Sequence, residues 1–127
     1  MANPNIVNVS QIYGNTSSIL ISSTADPFAT PLISNPAGSN KVFKINSIVV
    51  ANIDGTTAVD VTVRLYSQAA LGGTGTALIS TASVPADASL VVMDKTTGIY
   101  LLEDKSIGAV ASIANDLVIT CSWEEIS

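Results

Sequence analysis

Alternation of apolar and polar residues is the strongest signal in this chain. Val59, Val61, Val63 and Leu65 fall on one side of a period-two pattern, and Asp60, Thr62, Arg64 and Tyr66 on the other. That is the pattern of a half-buried β-strand. Leu117, Ile119, Cys121 and Trp123 repeat it near the end of the sequence, opposite Val118, Thr120, Ser122 and Glu124. Lys41 to Asn52 reads as a third strand: Phe43, Ile45 and Val49 share one face, and Ile48 and Val50 point the other way. Either a bulge at Asn46-Ser47 or burial on both sides would account for that switch. Further strands are expected at Ile6–Tyr13, Ser17–Thr24, Ala77–Val84, Ser89–Asp94, Ile99–Leu102, Ile107–Ile113 and Leu117–Ile126.

Turn signals punctuate these strands. They are Tyr13-Gly14-Asn15, Asp54-Gly55, Gly72-Gly73-Thr74-Gly75, Pro85-Ala86-Asp87, Thr97-Gly98, Glu103-Asp104-Lys105 and Asn115-Asp116. Asp-Gly between apolar runs is a hairpin signal, because glycine takes positive φ without steric cost. No segment has helical periodicity. Many short strands with frequent turns predict an all-β protein: an antiparallel β-sandwich, Ig-like or jelly-roll. Residues 1–127 read as one domain, with Met1–Ser10 as an N-terminal arm.

One stretch breaks the rhythm. Residues 25–40 hold Pro27, Pro31 and Pro36 and a Pro-Ala-Gly-Ser turn, so a central strand is not expected there. A loop of this length serves either as a contact loop or as a crossover covering the end of the sandwich. In the first reading Phe28 and Leu32 are apolar anchors on a partner. Met1, Asn3, Pro4 and Asn5 of the arm join Pro27, Phe28, Pro31, Leu32 and Pro36 as the expected partner contacts.

Composition narrows the function. The chain has no histidine, one cysteine and one arginine, with ten acidic residues spread along it. Catalytic and metal centres at neutral pH draw on histidine, reactive cysteine or gathered acids. No enzyme activity, metal or cofactor is therefore expected. Cys121, between Ile119 and Trp123, reads as core packing. Asn52, Asp54 and Asp60 fall short of a calcium loop. Glu124-Glu125 and Glu103-Asp104 read as solvated or turn carboxylates rather than a glycosidase pair. The glycine-rich run at residues 72–75 lacks the residues of a phosphate loop. The two Asn-x-Ser/Thr matches, at Asn8 and Asn15, read as accidental.

Charge narrows the partners. Net charge is −5, and charged residues make up only 12% against 47% hydrophobic. Five cationic side chains argue against nucleic-acid binding, and the absence of a basic or long apolar run argues against a membrane role. The N-terminus lacks the pattern of a secretory signal, and one cysteine allows no internal disulfide, which suits assembly in a reducing cytoplasm. A surface rich in Ser, Thr, Asn and Gly suits contact with other protein, since few charges need desolvating.

The segments KVFKINSIVVANIDGTTAVDVTVRLYS and SVPADASLVVMDKTTGIYLLEDKSI and the ending ITCSWEEIS resemble small virion proteins of tailed bacteriophages. The resemblance covers about residues 41–127. It lies in Lys44–Ile48, Asn52–Gly55, Val84–Ala86, Ser89–Val92, Ile99–Leu101 with Glu103-Asp104, and Ser122–Ile126. It implies a β-sandwich attached to capsid, neck or tail, most often as capsid decoration. Homo-oligomers, trimers among them, and contacts with other virion proteins would follow. A carbohydrate-binding or adhesin module is the contrasting expectation. It would need an exposed aromatic platform, for which only Tyr13, Tyr66, Tyr100 and Trp123 are candidates.

Overall fold

The computed structural model describes residues 9–25 and 31–127. Nine strands form two antiparallel sheets packed face to face. The strands are β1 (Ile12–Leu20), β2 (Ile33–Asn35), β3 (Val42–Asn52), β4 (Val59–Gln68), β5 (Gly72–Val84), β6 (Ser89–Met93), β7 (Tyr100–Leu101), β8 (Lys105–Ala111) and β9 (Leu117–Ile126). The first sheet runs β1-β9-β3-β6, with β7 also against β3; the second runs β2-β8-β4-β5. The chain passes back and forth between the sheets, and β4–β5 alone joins two consecutive strands that pair with each other. An Ig-like sandwich keeps more of its consecutive strands within one sheet. This double Greek-key wiring is a jelly roll, so of the two expected sandwiches the structure selects the second.

The core between the sheets is aliphatic. Val59, Val61, Val63, Ile119 and Cys121 are fully buried, as their alternation predicts, whereas Leu65 and Trp123 are half-buried. In β3 the switch of faces comes from a bulge: the register against β9 shifts between Ile45 and Ser47. The extra residue puts Phe43, Ile45, Ile48 and Val50 all on the inner face and leaves Val49 half-buried.

Four local expectations are corrected. The Tyr13-Gly14-Asn15 turn does not form, because β9 is long enough to pair every residue from Ile12 to Leu20 in one unbroken register. The Asp54-Gly55 turn is not a hairpin, since β3 and β4 lie in different sheets. It is an inter-sheet corner held by the Asp54 carboxylate, which accepts from Thr56 N–H and Oγ1 at 3.0 Å each. The β4–β5 tip is not the glycine run but the 3₁₀ turn Ala69–Leu71; residues 72–75 already belong to β5. Finally, the proline-containing stretch is not loop throughout: no central strand forms there, as expected, but a short edge strand does. β2 is three residues long and sits at a sheet edge beside β8, where flanking prolines are tolerated.

Candidate functional site

A depression of about 530 Å³ opens where the two sheets part beside β2. Leu32, Ile33 and Ser34 line one wall, Pro36 and Ser39 the rim, and Lys41, Phe43, Trp123 and Glu125 the other wall. Its geometry follows from strand parity. On β9 the inner face carries Leu117, Ile119, Cys121, Trp123 and Glu125, so the last two reach the end of the sandwich where no opposing sheet covers them. Phe43, one strand over, meets Trp123 with ring centroids 6.4 Å apart and planes tilted by 33°, a favourable offset for an aromatic pair. Trp123 Nε1 is buried without a hydrogen-bond acceptor among the described residues. Lys41 Nζ sits 3.4 Å from Glu125 Oε1, and Asn15 of β1 donates to the other Glu125 oxygen.

The rim is a built turn. Asn35, fully buried, donates from Nδ2 to Lys41 O at 2.9 Å and to Leu101 O at 3.1 Å, and accepts from Ser39 Oγ at 2.6 Å. Gly38, at φ +76°, donates its N–H to Glu103 Oε2 at 3.1 Å. A single buried amide thus ties β2, the turn and β7 together. Asn52 does the same at the far corner, donating to Thr57 O and Val84 O and accepting from Asp54 N–H, each at 2.9 Å. Sequence reasoning missed both asparagines as structural staples. The available signal was an asparagine at the end of an apolar strand, just before a turn.

Of the expected contact residues, Met1, Asn3, Pro4, Asn5, Pro27 and Phe28 lie outside the described residues. Pro36 is exposed at the rim and Pro31 half-buried. Leu32 is 4% exposed and packs into the protein's own core. That corrects its place as an anchor for a partner: the short strand that follows pulls it inward, with Leu32 N–H donating to Ile107 O at 2.8 Å.

The acidic residues are not gathered. Glu124 and Glu125 are adjacent on one strand and so point to opposite faces, Glu124 accepting from Asn46 Nδ2 at 3.2 Å. Glu103 is buried at 2% exposure rather than solvated, and Asp104 accepts from Ala69 N–H at 3.0 Å. Among the described residues no three Cys, Asp or Glu side chains come together as a metal site would need. Burial pushes the Cys121 thiol up to about 12, which leaves it unionised and unreactive at neutral pH. The aromatic side chains do not make a platform. Tyr66 is 3% exposed, under Leu71 on the outer face of the second sheet. Tyr13 pairs with Glu125 and Tyr100 with Lys44, so these two exposed rings stand on opposite faces of the first sheet. Among the described residues no helix is long and apolar enough to cross a membrane.

Comparison with protein-family models, with characterised proteins and with solved structures gives no match.

Proposed function

We propose that this chain is a structural part of a tailed-bacteriophage virion, a capsid-decoration protein bound to the outer capsid surface. One observation carries the reading: the carboxylates and amides described at the depression and its rim hold the fold, Glu125 with Lys41 and Asn15, Asn35 with Ser39, Lys41 and Leu101, and Glu103 with Gly38. What remains for function is shape and a weakly charged, hydroxyl-rich surface. Contact through such a surface desolvates few charges. The resemblance of residues 41–127 to phage virion proteins points the same way, and a jelly roll is a fold that capsid proteins use, though the fold alone does not assign a function. The partner would be the major capsid protein, met by the sandwich end that carries Pro31 and Pro36.

Labelling intact particles with an antibody against this chain, viewed by electron microscopy, tests the proposal. Label spread over the capsid shell supports decoration. Label confined to one vertex or to the tail replaces it with a neck, tail or fibre component, and no label on any particle refutes the virion reading.

A carbohydrate-binding module is the second reading, favoured by the Trp123, Phe43, Lys41 and Glu125 lining of the depression. The indole is half-buried and packed against Phe43, so only part of it is open to a ligand. Titration with oligosaccharides while following Trp123 fluorescence separates the two readings: the virion reading expects no saturable change.

A further inference from the structure

The sandwich has strands at four sheet edges, and three of them are guarded. β2 has three residues between Pro31 and Pro36. β6 has five, ends at Asp94-Lys95, and its pairing with β3 is interrupted between Ile48 and Val49. β5 is long but bulged: its register against β4 shifts at three places. Short length, charge, proline and bulges are how natural sheets stop an edge from pairing with another chain. β1 has none of these. It is nine residues long, carries no charge and no proline, and pairs with β9 in one unbroken register.

Its free side can be located. Gln11 N–H donates to Ser127 O and Ser127 N–H to Gln11 O, both at 3.0 Å; Ile21 N–H donates to Leu117 O at 2.8 Å. Odd-numbered residues therefore bond β9, and the N–H and C=O groups of Ile12, Gly14, Thr16, Ser18 and Leu20 point to the edge. Among the described residues no strand lies beyond them.

We propose that this edge pairs with β1 of a second copy, antiparallel about a two-fold axis at Thr16. The sequence IYGNTSSIL is apolar at both ends and polar or small in the middle. In that register Ile12 faces Leu20 of the partner subunit, Tyr13 faces Ile19 of the partner subunit, and Thr16 faces Thr16 of the partner subunit. Every apolar side chain meets an apolar one, no charge is opposed, and the even-numbered groups, the ones left free, form the bonded pairs. Face parity is kept, so Ile12 and Leu20, 57% and 45% exposed in the single chain, cover each other on the outer face. The two first sheets become one continuous eight-stranded sheet along the path β6-β3-β9-β1 and its two-fold copy. Such a contact is isologous and closes as a dimer. The inference rests on β1 and stands apart from the virion reading.

Sedimentation of the full chain over a range of concentrations tests it. The wild type should show a monomer–dimer equilibrium. Thr16→Pro removes an outward N–H and one long, exposed hydroxyl bond to Ser122 Oγ at 3.3 Å, leaving the backbone ladder to β9 intact, and should raise the dimer dissociation constant roughly a hundredfold while the monomer stays folded by circular dichroism. Thr16→Lys sets like charges across the axis and should weaken the dimer by roughly tenfold or more. Mixing it with Thr16→Glu should restore a heterodimer, a rescue that only this register gives. A wild type that is monomeric throughout overturns the proposal, as does a dimer indifferent to both substitutions. So does a lysine–glutamate mixture that stays monomeric. A full-length monomer that dimerises only after residues 2–8 are deleted overturns it too, since the arm would then be the edge's own cover.

Discussion

β1 and β5 are the two long edge strands of this sandwich, one in each sheet, and they are built in opposite ways. β1 runs straight against β9, pairing nine consecutive residues. β5 gains one residue over β4 at each of its three irregularities; between Val61 and Val63, for example, its partners move from Ala82 to Ile79. Thr81 sits inside the first of these at φ +50°, its N–H taken by Thr62 Oγ1 at 2.9 Å. Gly73 sits near the last at φ +73°. Bulges twist a strand and break the even row of donors and acceptors that another chain would read. The difference teaches that this chain has the means to close a long edge and leaves β1 without them.

The largest expected effect removes the guarded side altogether. Val61 is fully buried in β4, the strand that carries β5. Val61→Asp places an unpaired charge in the core and should cost several kcal/mol, enough to abolish the cooperative melting transition. A soluble variant with an unchanged Tm would show that β4 does not pack as described.

Next in size is a pair of prolines on β1. Ser17 is odd-numbered and its N–H faces Cys121 of β9, whereas that of Thr16 faces outward. Ser17→Pro should therefore cost about 3 kcal/mol and lower Tm clearly, while Thr16→Pro leaves the monomer's Tm nearly unchanged. Equal losses from both would erase the distinction between inner and outer amides on which the open edge depends. On β5 a smaller change suffices. A Cβ at Gly73 would lie 2.1 Å from Ser67 Oγ, and φ is already in the left-handed region. Gly73→Ala should cost roughly 1–2 kcal/mol, measured by denaturant unfolding, through the turn that launches β5.

How much of this was legible in the sequence varies with the element, for physical reasons. β9 was readable to its ends because Leu117, Ile119 and Cys121 alternate into the core and Asn115-Asp116 marks its start; past Cys121 the alternation fades, with residues 122–125 half-buried and Ile126 buried out of phase. β3 was readable as a strand, and a bulge at Asn46-Ser47 was one of two readings of its facing; local pattern could not choose between them, and the register against β9 decides for the bulge. Tyr66 read as outward-facing and is indeed on the outer side, yet it is buried. The Ala69–Leu71 turn folds over it, held by Leu71 N–H to Ser106 Oγ at 2.8 Å and Ala70 N–H to Ser34 Oγ at 3.0 Å. Those partners are distant in sequence, and local pattern carries no trace of them. β1 was divided into two strands because Gly14-Asn15 looks like a turn; the long partner β9 overrode that local preference. The open edge could not be read from sequence at all, since it depends on which strand ends up outermost. Of the candidate site, Pro36 was the one rim residue singled out from sequence, while the Phe43–Trp123 pair and the Asn35 staple needed the fold.

The smallest effect belongs to a third edge, at β6. Asp94, just past that strand, accepts from the Thr96 hydroxyl and then from the Thr96 and Thr97 backbone and the Thr97 hydroxyl, which hold its carboxyl below the ordinary value of 3.8. Asp54 is lowered in the same way by Thr56. A depressed folded pKa gives stability that is present above 3.8 and fades as pH falls through the lowered value. A slight decline in Tm below that pH is expected, reduced in Asp94→Asn. Both groups are exposed, so the decline should be small beside the proline effects.

Hydrogen exchange measured residue by residue at several protein concentrations tests the contrast between the two edges most directly. The account predicts that the amides of Gly14, Thr16 and Ser18 exchange fast in dilute solution and slow as concentration rises. Odd-numbered β1 amides stay protected throughout, and the edge-facing amides of β5 stay fast at every concentration. Fast exchange at Thr16 in concentrated protein, or protection there that does not depend on concentration, would contradict it.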